Sequence, residues 1–254
     1  MGHIQHHDLW IQLVLVALRG EMSMGLEEEI EDHVERTFTS FWETRDGTVV
    51  PEPKDIGLGN DGVLLKATVL YADLADSTDL VDTESKPFAA KVYKSYLHCA
   101  AKIIRGEKGE VTAYDGDRIM AVFLGKAKNT RAVRAALKID YAVEHVINPQ
   151  LKACYSDNEY TLEHGIGIDT SEILVARTGI RGSNDLVWVG RAANYAAKLC
   201  GLRKKSYSIY ITQRVYFAMN DSVTYDDGTD MWEARRWSRT NQLIYRSSYH
   251  WDGL

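Results

Sequence analysis

The run from Ala67 to Leu74 is apolar almost without a break, and it ends in carboxylates. Such a run reads as a β-strand covered on both faces. Asp73 closes it, Asp76, Ser77 and Thr78 follow, and a helix-compatible segment comes next. Two readings of this junction are open. A carboxylate at a strand end suits a hard cation, and amides at a helix start suit the phosphate it holds. Alternatively, Asp76 or Ser77 caps a helix and Asp73 is a solvated loop residue.

The chain around this strand reads as follows. Phe88–Arg105 is a helix with Val92, Tyr96, Ala100 and Ile103 on one face, ended by Gly106 and Gly109. Glu110–Tyr114 and Arg118–Leu124 are strands around Asp115-Gly116-Asp117, a hairpin signal. Thr130–Ile147 is the next helix, stopped by Pro149. Residues 161–168 and 172–178 form a second strand pair, and Leu186–Val189 a third short strand. Gly190–Leu202 is a helix and Ser208–Thr212 a strand. The C-terminal segment, with Trp232, Trp237 and Trp251, pairs as further strands.

The order strand, helix, strand, strand, helix, strand is the ferredoxin-like α+β unit. Its first strand lies beside the hairpin, which brings Asp73 next to Asp117. Two carboxylates at neighbouring strand ends repel unless a cation lies between them. The competing reading of Asp117 is a plain turn residue.

A net charge of -6 without a long basic block disfavours nucleic-acid binding, which needs clustered Lys and Arg. Arg203-Lys204-Lys205 and Arg235-Arg236 read as solvated surface. A ferredoxin-like RNA binder is disfavoured for the same reason, and for want of clustered aromatics on the central strands. Cys99, Cys154 and Cys200 are far apart, as idle thiols in a reducing, cytoplasmic setting are. The eight histidines show no metal-ligand spacing, although His6 and His7 are adjacent.

Residues 9–18 are the most apolar segment, too short to span a bilayer, and no Lys or Arg precedes them. With Met22 and Met24 close behind, residues 1–21 read as an upstream extension; the alternative is a membrane-touching or oligomerising segment. Residues 22–63 hold a helix and a connector. The helix, Glu27–Trp42, is amphipathic, with Leu26, Ile30, Val34 and Phe38 every fourth residue and acidic first turns. The connector contains Pro51, Pro53 and several Gly, and the compact domain, 64–254, follows.

Three ordered motifs carry a family likeness. Tyr71-Ala72-Asp73-Leu74 with Asp76-Ser77-Thr78 resembles the first metal motif of class III nucleotidyl cyclases. Gly116-Asp117-Arg118-Ile119-Met120-Ala121-Val122-Phe123 resembles their second, and Trp188–Lys198 their transition-state helix. The resemblance implies a homodimer with active sites at the interface. Asp73, Leu74 and Asp117 of one protomer are implied to hold two Mg2+ or Mn2+ ions, and the backbone from Leu74 through Ser77 to Thr78 the phosphates. The partner is implied to supply Asn194 and Lys198, which share a helix face. The implied reaction is in-line attack of the ribose 3′-hydroxyl on the α-phosphate.

The departures are informative. Lys198 stands where the family usually has Arg, so the charge is kept and the bidentate fork lost. Ala113 and Val187 replace both polar purine readers, and Tyr71 stands where Phe is usual. This combination resembles the pyrimidine cyclases of Pycsar anti-phage systems. It implies UTP or CTP as substrate and a separate effector that senses the cyclic product. The other readings are an adenylate or guanylate cyclase with unusual readers, and a catalytically dead cyclase fold serving as a dimeric regulatory module. Retention of both metal acids and Asn194 argues against the dead module.

Overall fold

The computed structural model describes residues 25–204 and 206–253, and the extension read at 1–21 lies outside them. The chain divides into two units, residues 1–42 and 43–254. In the first, helix α1 spans Leu26–Thr39 and carries Glu27, Glu28 and Glu29 in its first turn. It stops short of Phe41 and Trp42, and Leu26, Ile30, Val34 and Phe38 are all exposed.

The second unit is built on one mixed sheet. Its elements are β1 (Glu43–Asp46), β2 (Asp61–Leu74), α2 (Ser77–Thr83), α3 (Lys86–Gly106), β3 (Glu110–Asp115), β4 (Arg118–Phe123) and α4 (Lys128–Ala142). A π turn (Val143–Ile147) leads to α5 (Asn148–Cys154), then β5 (His164–Ile180), β6 (Ser183–Gly190), α6 (Arg191–Cys200), β7 (Ile209–Thr212) and α7 (Gln213–Tyr216). A two-residue hairpin, β8 (Tyr225–Asp226) and β9 (Thr229–Asp230), precedes β10 (Glu233–Trp237) and β11 (Gln242–Ser247). The sheet order is β10-β11-β7-β5-β2-β4-β3, with β1 on β2 and β6 on β5. Strands β5-β2-β4-β3 with α3 and α4 are the expected ferredoxin-like unit.

Strand β2 is covered on both faces, as its apolar run requires. Leu70, Ala72 and Leu74 pack with Tyr96, Ile104, Ile119 and Phe123. The alternate residues Leu65, Ala67 and Val69 pack with Met120, Val122 and Ala192, Ala193 and Ala196 of α6. Period-two alternation puts Tyr71 and Asp73 on this second face.

The structure corrects four local readings. Residues 164–180 are one continuous strand, not a pair, and its hairpin partner is β6. The polar stretch at Asp169 that imitates a turn lies mid-strand. Asp169 is fully buried, accepts a hydrogen bond from Thr212 Oγ1 and pairs with Arg191 Nη2 at 3.4 Å. Pro149 does not end the helical segment, because it falls in the first turn of α5, where a missing N–H costs nothing. The connector contains β1, which pairs in parallel with the start of β2. The C-terminal strands are present as β10 and β11, but Trp232 precedes them, buried with its Nε1–H on the Val223 carbonyl at 2.9 Å, and Trp251 follows them.

Candidate active site

The acids come together at one end of the central strands. In the β2–β4 register Asp73 faces Arg118, the residue after Asp117, so strand pairing brings Asp117 alongside Asp73. The β3–β4 turn depends on Gly116 at φ 60°, a conformation open to Gly at no steric cost. Asp73 is only 8% exposed, and Arg118 Nη2 donates to its Oδ2 at 2.7 Å. Asp117 Oδ2 is buried without a hydrogen-bond partner. A buried carboxylate oxygen lacking a donor is costly, and a divalent cation satisfies it. This donor set of Asp73, Asp117 and the adjoining Leu74 backbone therefore fits a hard metal ion.

The competing reading of the junction does not hold. Asp73 is not solvated. Asp76 occupies the N-cap position of α2 at φ 51°, but its side chain makes no cap hydrogen bond and instead pairs with Arg203 Nη2 at 2.9 Å. Ser77 and Thr78 open α2, Ser77 half-buried and Thr78 exposed, and Leu74 is buried.

The acids act on the groups behind them. Burial, reinforced by the negative charge of Asp73, pushes the Tyr96 phenol well above its ordinary pKa. Tyr160 is pushed up to about 12 by burial first, with Tyr93 and Asp117 adding to it. Cys200 rises to about 11 through burial and the charge of Asp73. Below Tyr96 runs a polar chain: its hydroxyl meets His164 Nδ1 at 3.3 Å, and His164 Nε2 meets Asp140 Oδ1 at 2.9 Å.

A cavity of about 430 Å3 lies between β2, β3, β6 and α6, lined among others by Tyr71, Ala113, Arg118, Val187, Trp188 and Asn194. Its position depends on α6 lying directly on β5. A Cβ at Gly167 would stand 2.1 Å from the Ala196 carbonyl, and one at Gly165 2.1 Å from that of Cys200. The start of α6 is held by Ala192 N–H on Ser171 Oγ at 3.0 Å and by the Arg191–Asp169 pair. Asn194 is exposed, with its Nδ2 on the Gly190 carbonyl at 3.2 Å. Lys198, one turn on, is exposed and does not line the cavity.

Thus Tyr71, Ala113, Val187 and Asn194 surround one space, and Asp73 and Asp117 adjoin it through Arg118. Arg118 is the residue that motif reading passed over. Its signal was available, because antiparallel pairing of the β2 end with the hairpin places it opposite Asp73. Tyr160, whose buried hydroxyl has no partner, carried no sequence signal at all.

This sheet, its helices and the paired acids define the catalytic domain of a class III nucleotidyl cyclase. The crystal structure of a guanylyl cyclase superposes with a TM-score of 0.63 over 76% of this chain and 96% of its own, at 21% identity. That of an adenylyl cyclase from P. aeruginosa gives 0.61 over 75% and 97%, also at 21%. No protein-family model matches the chain. A uridylate cyclase from Xanthomonas perforans is 50% identical over 230 residues, 90% of this chain and 99% of that protein. One from Burkholderia cepacia is 47% identical over the same shares, and one from Rhodovulum sp. 37% identical over 89% and 97%. The chain belongs to the uridylate cyclase family and is a nucleotidyl cyclase. Among the described residues no helix is long and apolar enough to cross a membrane.

Proposed function

We propose that the protein converts UTP to 3′,5′-cyclic UMP and pyrophosphate. The observation that carries this reading is 50% identity to a uridylate cyclase along nearly the whole of both chains. The cavity lining supports it. Ala113 and Val187 offer no polar group to a purine edge, while half-buried Tyr71 adds a hydroxyl beside the nucleotide space.

Asp73, Asp117 and the Leu74 backbone are the residues to hold two Mg2+ or Mn2+ ions. When bound, these supply Lewis-acid activation of the 3′-hydroxyl and a clamp on the phosphates. The O3′–Pα bond forms as the bond from Pα to the pyrophosphate oxygen breaks, and the hydroxyl proton leaves to solvent. Asn194 orients the ribose, and Lys198 supplies charge to the phosphate where it builds up. Amides from Leu74 to Thr78 donate to the phosphates. The active unit is a homodimer in which Asn194 and Lys198 serve a nucleotide held by the other protomer's acids. The exposure of both side chains, and the place of Lys198 outside its own cavity, favour this arrangement.

The product serves as a second messenger in anti-phage defence, read by an effector with a cyclic-nucleotide-binding module. The resemblance at Tyr71, Ala113 and Val187 is what supports this role. Incubation with Mn2+ and each of the four nucleoside triphosphates tests the chemistry. Cyclic UMP is the expected main product. Cyclic CMP moves the substrate to CTP, and cyclic AMP or cyclic GMP overturns the pyrimidine reading.

A further inference from the structure

A second cluster of metal-binding side chains lies apart from the nucleotide cavity. Glu144 and His145 stand on the π turn that joins α4 to α5, and His250 comes from the C-terminal tail. A π turn inserts an extra residue into a helix and re-aims its side chains, a distortion frequent at functional sites. The tail is pinned nearby by the Trp251 N–H on the Leu137 carbonyl at 3.2 Å. Residues 105 apart in sequence are thereby placed side by side.

The donor atoms face one another. His145 Nε2 and His250 Nε2 are 3.1 Å apart. Glu144 Oε2 is 3.3 Å from His250 Nδ1 and 4.0 Å from His145 Nε2. A neutral imidazole has one donor and one acceptor nitrogen. With Glu144 accepting from His250 Nδ1–H, the His250 Nε2 lone pair points at His145 Nε2. Two ring nitrogens at that distance need a proton or a cation between them. Zinc bonds to imidazole at about 2.0–2.1 Å, which sets tetrahedral donors roughly 3.3 Å apart. The 3.1 Å between His145 Nε2 and His250 Nε2 is close to this. A carboxylate on the far ring nitrogen is also the usual support for a metal-bound histidine. The Tyr141 ring, 4.6 Å from that of His145, holds the imidazole in place. The adjoining cavity, about 560 Å3, also carries Asp226 and Asp252, whose charge favours a cation.

We propose that His145 and His250, with Glu144 supporting His250 from its far ring nitrogen, form a surface site for a zinc-class divalent transition-metal ion. Bound there, the ion ties the C-terminal tail to the α4–α5 helix. Imidazole donors select zinc, copper or nickel over the magnesium that carboxylates prefer. The two sites therefore take different metals.

The test uses the full chain carrying Asp73→Asn and Asp117→Asn, so that the nucleotide site does not compete. Zinc is titrated against a chromophoric chelator in this parent and after adding His145→Gln or His250→Gln. All three cluster residues are exposed, so the folds should persist, and circular dichroism checks that they do. Zinc held by other groups is common to all the proteins and cancels in the difference. Loss of one equivalent, or binding weaker by about tenfold or more, is expected in each histidine variant. Excess Mg2+ should not displace the ion, and zinc should raise the Tm of the parent but not of the His250→Gln protein. Unchanged zinc affinity in either histidine variant overturns the site and leaves a His–His hydrogen bond in its place.

Discussion

Arg118 Nη2 sits 2.7 Å from Asp73 Oδ2 across the β2–β4 pair, so the buried acid that we propose as a metal ligand already has a cationic partner. The bond holds the Arg118 guanidinium above its ordinary pKa. A metal ion must share that oxygen with Arg118 or displace it. We expect Arg118→Ala to lower the Tm without metal, because it leaves Asp73 buried and unpaired. Its Mn2+-induced rise in Tm should exceed that of the wild type. Equal Mn2+ shifts in the two proteins would show that Arg118 and the metal do not compete for Asp73.

Removing either acid should stop the reaction. Asp73→Asn and Asp117→Asn each take a charged ligand from the proposed divalent-cation site, and a rate loss of at least about 100-fold is expected with the fold intact. An equal mixture of Asp73→Asn and Asn194→Ala chains should recover roughly a quarter of the wild-type rate, since half the dimers are mixed and each then has one complete site. No recovery, with mixed dimers shown to form, would place all the catalytic groups of a site in one chain.

Tyr71 is half-buried, packs against the core cluster that includes Val69 and Met120, and lines the cavity. If its hydroxyl reads the base, Tyr71→Phe should lower the preference for UTP over purine triphosphates by about 1–3 kcal/mol, or roughly fivefold to 150-fold. Competition kinetics with paired nucleotides measures it. Unchanged rate and preference would assign the ring to the core.

Tyr160 predicts an alkaline effect. Its folded pKa of about 12 lies above the ordinary tyrosine value of 10.0, so the folded chain holds the phenolic proton more tightly than the unfolded one. That contribution is complete below pH 10 and is lost as pH rises through 12. Tyr160→Phe should flatten the fall in Tm across this window. At neutral pH it should stabilise by about 1 kcal/mol, because it removes a buried hydroxyl that has no partner. A steeper alkaline fall in the variant would contradict the assignment.

What the sequence determined alone is local. The apolar run into Asp73, the Asp115-Gly116-Asp117 hairpin and the helix bearing Asn194 were legible because periodicity and turn chemistry act within a few residues. The βαββαβ order then implied that Asp73 and Asp117 are neighbours. Where local signals misled, the surrounding structure had changed their meaning. Asp169 resembles a strand break until Arg191 and Thr212 pair with it inside β5. Pro149 resembles a helix stop until the π turn hands it the first turn of a new helix. Only the tertiary structure decided that Arg118 neutralises Asp73, that Gly165 and Gly167 admit α6 onto the sheet, and that His145 meets His250. These depend on strand register and close approach between remote segments, which packing of the whole chain sets and no short stretch of sequence encodes.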